Sequence, residues 1–230
     1  MGKIYEILKT INESNFLNED TEKVNTEEEE VKNWLDSMGI KNYKIDKFNK
    51  RRVDVQGDVN LENKNLTSIP VRFQFVDGNF NISHNNLNTL RGCPLVVYKD
   101  FDCSHNKITS LKGSPEVVGD FSCDNNKLTS LEGVLSYITP ENFYCFNNNL
   151  TSLKGAPVDK VKGNFDCSNN KLTSLEGSPK VVGASFDCSN NNLISLEGAP
   201  KKVGGDFNCE NNPIKDYSLK NTKISGEFLK

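Results

Sequence analysis

Gly163 to Pro179 reads Gly-Asn-Phe-Asp-Cys-Ser-Asn-Asn-Lys-Leu-Thr-Ser-Leu-Glu-Gly-Ser-Pro. Outward from this stretch the same pattern returns on both sides. Its leading aromatic recurs as Phe80, Phe101, Phe121, Phe143, Phe165, Phe186 and Phe207, and Val59 opens a degenerate first copy. The steps between these eight positions are 21, 21, 20, 22, 22, 21 and 21 residues. A sustained period of this length is the mark of stacked coils, each too small to bury its apolar side alone.

Within a copy, Phe-x-Cys alternates apolar and variable residues, the period of a short strand with one buried face. The second inward position is Leu61, Ile82, Cys103, Cys123, Cys145, Cys167, Cys188 and Cys209. Five residues after each Phe stands an Asn, from Asn85 to Asn212. A buried Asn there can bond backbone groups where the chain leaves the strand. Leu or Ile follows two and five residues later, as in Leu172 and Leu175. Gly at 92, 113, 133, 155, 177 and 198 suits left-handed turns, and Pro at 94, 115, 157, 179 and 200 favours an extended return path. About ten residues link one coil's last Leu to the next Phe, too few, with Gly and Pro among them, for a helix.

The resulting skeleton, φ-x-φ-x-x-N-x-φ-x-x-φ, resembles the leucine-rich repeat of a short, bacterial type, with Phe and Cys in place of the usual strand leucines. The resemblance covers residues 56–217. It implies an α+β solenoid: a right-handed coil stack with a parallel β-sheet on one face and extended or turn-like return segments without convex helices. Similar Phe-x-Cys-Ser-x-Asn arrays occur in proteins encoded by bacteriophages and AT-rich bacteria, and the resemblance implies recognition of a protein partner, such as a bacterial host defence protein that the chain would inhibit.

Outside the array the pattern changes. Ile4, Ile7, Leu8 and Ile11 are spaced for an amphipathic helix over 3–13, followed by a polar linker to residue 20. Residues 21–55 are expected to form an N-terminal cap. Thr26-Glu27-Glu28-Glu29 has the form of a capping box, and Val31, Trp34, Leu35 and Met38 predict a helix over 26–38 that stops at Gly39. Tyr43 and Ile45, then Val53 and Val55, predict a hairpin. Residues 218–230 are expected to be a C-terminal cap or tail.

Composition narrows the function classes. The chain has 230 residues, a formal charge of −3 and 32 Asn. So small a net charge argues against direct nucleic-acid or anionic-lipid binding. No apolar run approaches the ~20 residues of a membrane span, the first residues lack a signal-peptide pattern, and seven Cys without such a signal point to a reducing, cytoplasmic location. The Cys ladder lacks the pairing of a zinc site, and its inward alternation makes the thiols core filler; Cys93, just before Pro94, is expected to be more exposed. His84 and His105 hold one position in adjacent copies, near Asp100 and Asp102, and could be imagined as metal ligands; the later copies carry Asn there, so polar surface is the reading adopted. There is no Ser-His-Asp set, phosphate loop or HExxH, so no catalysis, metal or cofactor is expected.

The outward strand positions then become the informative part. Three columns flank the buried pair, and ten of their 24 positions are acidic while none is basic. They include Asp100 and Asp120 before the Phe; Asp102, Asp166 and Asp187 after it; and Asp124 after the Cys. Lys112, Lys160, Lys180, Lys201 and Lys202 fall on the return side. One-signed columns favour a partner with a basic surface patch. Tyr144 and Phe146 are the sole aromatics in these columns and sit in the fifth coil, after an irregular return, Gly133 to Pro140. They are expected either to anchor that partner or to be covered by the irregular loop. The resulting expectation is a non-catalytic protein-recognition module. The alternatives are an acidic nucleic-acid mimic and a self-associating virion component; a small-ligand binder fits poorly with a solenoid lacking a deep apolar pocket.

Overall fold

The computed structural model describes residues 26–135, 138–219 and 221–230. The helix expected at 3–13 and its linker lie outside these residues. The described chain is a parallel β-solenoid carrying one helix, residues 26–37, at its N-terminal side. The expected α+β balance therefore leans heavily to β.

The front sheet holds nine two-residue strands in unbroken sequence order: Val59–Asn60, Phe80–Asn81, Phe101–Asp102, Phe121–Ser122, Phe143–Tyr144, Phe165–Asp166, Phe186–Asp187, Phe207–Asn208 and Phe228–Leu229. Each leading residue pairs with its counterpart one coil away, as Phe143 does with Phe121 and Phe165. The side chains repeat that register. Consecutive Phe rings from Phe80 to Phe228 lie 5.1 to 6.2 Å apart, centroid to centroid. The rings from Phe80 to Phe207 are fully buried, and burying one such ring is worth about 2–3 kcal/mol. The Leu and Ile positions close the same core.

Phe228 corrects the expected boundary. Residues 223–229 form a return strand and a front strand, so the array runs on past 217 where a cap or tail was expected. The repeat had decayed after Ile214, because Asp216 and Tyr217 replace the Ser-Leu pair. Ser225-Gly226-Glu227-Phe228, one 21-residue step after Phe207, carries the sheet on regardless.

The return segments are extended, as expected, and they also pair. Val96–Val97 and Glu116–Val117 join Arg52–Val55 and Arg72–Val76 in a five-stranded sheet whose edge is Tyr43–Ile45. Lys160–Val161, Val181–Val182, Lys202–Val203 and Lys223–Ile224 form a separate four-stranded sheet. The break falls at the irregular fifth return, where the described residues Val134 and Ile138 turn into the core. Gly155 shows why the coils can stack so tightly there. Its φ is +96°, and a Cβ would overlap the backbone of Leu131 and Glu132 in the preceding coil.

The N-terminal cap follows its sequence pattern. Val31 and Leu35 are buried on the first coils, and Trp34 lies 6.4 Å from Phe73. The helix ends at Gly39, whose φ is +76°, with the Ile40 N–H bonded to the Leu35 carbonyl. The acidic run over 27–30 reaches basic side chains of the following loop. Glu27 and Glu30 meet Arg51, and Glu28 meets Lys32 and Lys50 at 2.8 Å each. Those two ammonium groups hold the Glu28 carboxyl down at about 2. The hairpin forms, with Tyr43 opposite Val55 and Ile45 opposite Val53.

Candidate functional site

The front is organised by two ladders of polar side chains, flanked by two further outward columns. The innermost is the Asn ladder. Asn126 Nδ2 donates to the carbonyls of Cys123 and Asp124 in its own coil and of Cys103 in the coil before, at 3.2, 3.1 and 3.0 Å. Its Oδ1 accepts the N–H of Ile108 at 2.9 Å. Asn85, Asn106, Asn148, Asn170, Asn191 and Asn212 repeat this arrangement. Neighbouring coils are thus tied through one amide, whose Oδ1 gives an otherwise orphaned N–H its acceptor and whose Nδ2 shares carbonyls that also take a second donor.

The residue before each ladder Asn is left-handed, with φ between 50° and 56° at 84, 105, 125, 147, 169, 190 and 211, and Asn63, before Lys64 in the first copy, has φ 55°. Asn tolerates this conformation best among residues with a side chain, which explains the Asn-Asn pairs of the repeat. His84 and His105 take the same conformation and stack at 4.1 Å with an interplanar angle of 11°. Among the described residues no three His, Cys, Asp or Glu side chains converge on a point where a metal ion could sit.

The column before the Phe forms a second ladder. Asp100 Oδ1 accepts the N–H of Asp120 at 2.9 Å, and Asp120 Oδ1 accepts the N–H of Asn142 at 3.0 Å. The chain of bonds starts at Asp58 and ends at Glu227, passing through Asn79, Asn142, Asn164, Ser185 and Asp206. Asp100 and Asp120 each give their Oδ1 to the fold, and Asp100 is exposed while Asp120 is half-buried. The Asp-Asn-Ser composition of this column is therefore that of an acceptor ladder, a role the sequence reading missed. Its signal was a side-chain acceptor at every one of the eight positions.

In the column after the Phe, Asp102, Asp166 and Asp187 each accept the N–H two residues on, at 2.8 to 2.9 Å. All three are half-buried. Desolvation pushes the Asp166 carboxyl up, the Ser168 hydrogen bonds oppose it, and the Asp187 and Asp124 charges add to the rise.

The column after the Cys departs from expectation. Ser83, Ser104, Ser168 and Ser189 are buried, and Asp124 is only 7% exposed. Small side chains here sit beneath the left-handed row: Asn169 and Asn190 reach back to Ser168 and Ser189, and Asn125 Nδ2 meets Asp124 at 2.8 Å. Burial raises the Asp124 carboxyl against the opposing Asn125 hydrogen bond, and Asp102 adds to the rise. Asp124 is thus removed from the docking set, because a shielded carboxylate cannot meet a partner's cation without rearrangement.

Tyr144 and Phe146 are both half-buried, so neither expected extreme holds. Burial raises the Tyr144 phenol; its hydrogen bond with Asn164 opposes that, and the Asp120 and Asp166 charges reinforce it. Each ring keeps an accessible part in the middle of the front. The thiols are buried throughout, and burial raises them. Sγ of Cys103, Cys145, Cys167, Cys188 and Cys209 donates to a carbonyl of the next coil at 3.1 to 3.4 Å, and Cys209 is pushed up to about 11. Cys93 is buried too, contrary to expectation, and its thiol is raised by desolvation alone.

What remains accessible on the front is a rim of carboxylates around two half-exposed rings: Asp58, Asp100 and Asp206 exposed, with Asp102, Asp120, Asp166 and Asp187 half-buried. Compared with family models, with curated proteins and with solved structures, the chain has no match in any of the three.

Proposed function

We propose that this chain is a non-catalytic protein-recognition solenoid, of the short leucine-rich-repeat kind, that holds a basic surface patch of another protein against its front. The observation that carries the reading is the accessible rim. Seven aspartates in two adjacent columns are exposed or half-buried, no Lys or Arg interrupts the columns, and Tyr144 and Phe146 sit among them. Aromatic anchors inside a polar rim are the usual anatomy of an interface that binds through a few residues. A decoy for a nucleic-acid site would use denser charge. Here the third column is mostly buried and Asp124 is shielded, so the carboxylate rows are too sparse for that reading.

The resemblance to bacteriophage repeats makes a bacterial host protein the first partner to try. Tagged chain would be passed through a bacterial lysate, and stoichiometric partners identified by mass spectrometry. One partner should be retained by the parent protein and lost by Tyr144→Ala with Phe146→Ala, and loading should weaken as salt rises. Equal retention by both proteins would remove the front from the interface.

A further inference from the structure

The five-stranded return sheet carries an apolar patch that the front reading does not use. Phe75, Leu95, Tyr98 and Val118 are 46%, 58%, 52% and 50% exposed. They stand on, or one residue beyond, three neighbouring parallel strands: Arg72–Val76, Val96–Val97 and Glu116–Val117. Exposed apolar side chains grouped in this way mark a contact surface more than scattered ones do.

We propose that this patch is a two-fold interface between two copies of the chain, in which Arg72 of each copy meets Glu116 of the other across paired Phe75 and Leu95 side chains. The placing of charge selects a second copy as the occupant. A two-fold contact must be self-complementary: a residue off the axis meets a different residue, which meets it in return. Arg72 and Glu116 are exposed and of opposite sign, and among the described residues neither forms an ion pair. They flank the patch on a diagonal. Phe75, Val96 and Glu116 are in register on successive strands, so Glu116 stands two strand spacings from Phe75, about 10 Å. Arg72 stands three residues before Phe75 on the same strand, about 10 Å in the perpendicular direction. The line from Arg72 to Glu116 is therefore about 14 Å long. Its midpoint falls beside Leu95, whose N–H bonds the Gln74 carbonyl and whose carbonyl accepts the Glu116 N–H. An axis lying in the interface and perpendicular to that line passes close to both Leu95 and Phe75. Rotation about it lays each Arg72 over the other copy's Glu116 and sets Leu95 on Leu95 and Phe75 on Phe75. Burial of the apolar centre supplies the attraction, and the two charge pairs at the rim fix the orientation. The front sheet takes no part in this contact.

The test is sedimentation velocity on the full chain across the micromolar range, where the parent protein should show a monomer–dimer equilibrium. Arg72→Glu and Glu116→Arg each set like charges against one another twice, and each should weaken the dimer about tenfold. The chain carrying both substitutions should recover it. So should an equimolar mixture of the two single variants, because every rim contact is then again between Arg and Glu. Phe75→Asp with Leu95→Asp should leave monomers, while circular dichroism of every variant stays that of the parent solenoid. A parent chain that is monomeric throughout the range would overturn the proposal and leave the patch to a different partner. A dimer indifferent to the charge substitutions, or single variants that do not recover on mixing, would overturn it equally.

Discussion

The front and return sheets are built on the same coils, yet they are held in different ways. On the front, backbone pairing is reinforced by side chains at every step: the Asn ladder inside, the Asp-Asn-Ser ladder at the strand entrance and the stacked Phe rings beneath. The return strands pair through backbone bonds over a single inward Val or Ile, as at Val97, Val161, Val182 and Val203. The consequence is visible at the fifth coil. There the front runs through without interruption, whereas the return side splits into two sheets. A solenoid needs one strongly specified seam to hold register, and the other side is then free to vary. Variation on the return side has produced an apolar half, around Phe75 and Tyr98, and a half with Lys160, Lys202 and Lys223 on outward strand positions.

Substitutions can break this contrast, and the largest effect is expected on the Asn ladder. Asn126→Ala removes four hydrogen bonds; the carbonyls of Cys103, Cys123 and Asp124 keep a second donor each, but the Ile108 N–H is left without its partner. Chemical denaturation should show a loss of about 3–4 kcal/mol, given about 1–3 kcal/mol for the one N–H left unsatisfied and a fraction of a kcal/mol to about 1 kcal/mol for each of the three shared bonds lost. A loss as small as that of an exposed substitution would mean that the backbone alone holds the front. Val182→Ala tests the return side. Removing two buried carbons should cost about 2 kcal/mol, visible in the same titration as a clearly smaller shift. If it matches Asn126→Ala, the two sides are equally specified and the comparison fails.

Asp120→Ala removes one rung of the outer ladder, a bond to the Asn142 N–H made at a half-buried position. Its expected cost is about 1 kcal/mol. Together with retained folding of the Tyr144→Ala, Phe146→Ala protein, this would separate the outer rim from the inner seam. The smallest effect, with opposite sign, is expected at Asp124. Its carboxyl is raised in the folded chain, so the fold takes up a proton at a pH where the unfolded chain has not yet done so. Acidification from neutral pH toward the ordinary carboxylate range should therefore stabilise the fold through this group. Asp124→Asn should raise Tm at neutral pH and flatten that part of the Tm-versus-pH curve. Glu28 works the other way. It is held at about 2 by Lys32 and Lys50, so its contribution is present above the ordinary carboxylate range and disappears as the pH falls through about 2.

Much of this was legible in the residues. The period, the inward Phe and Cys, the buried Asn, the left-handed Gly positions and the cap helix over 26–37 all follow from local chemistry repeated many times. The candidate site was less legible. Alternation alone placed Asp124 and the Ser column outward, but the left-handed Asn125, Asn169 and Asn190 fold back onto Asp124, Ser168 and Ser189. The carboxylates of the first column read as binding groups, although one oxygen of each serves the next coil's backbone. Phe228 escaped notice because Asp216 and Tyr217 broke the pattern shortly before it.

The sequence by itself determined that this chain must stack, with what period and with which side chains inside, because an amphipathic coil of about 21 residues has no other way to bury its apolar positions. Only the tertiary structure decided which outward side chains stay accessible, where the return side breaks and which face is left apolar. Those outcomes depend on contacts between residues some twenty positions apart, as in the bond from the Asn142 N–H to Asp120, and the pattern within a single copy does not contain them.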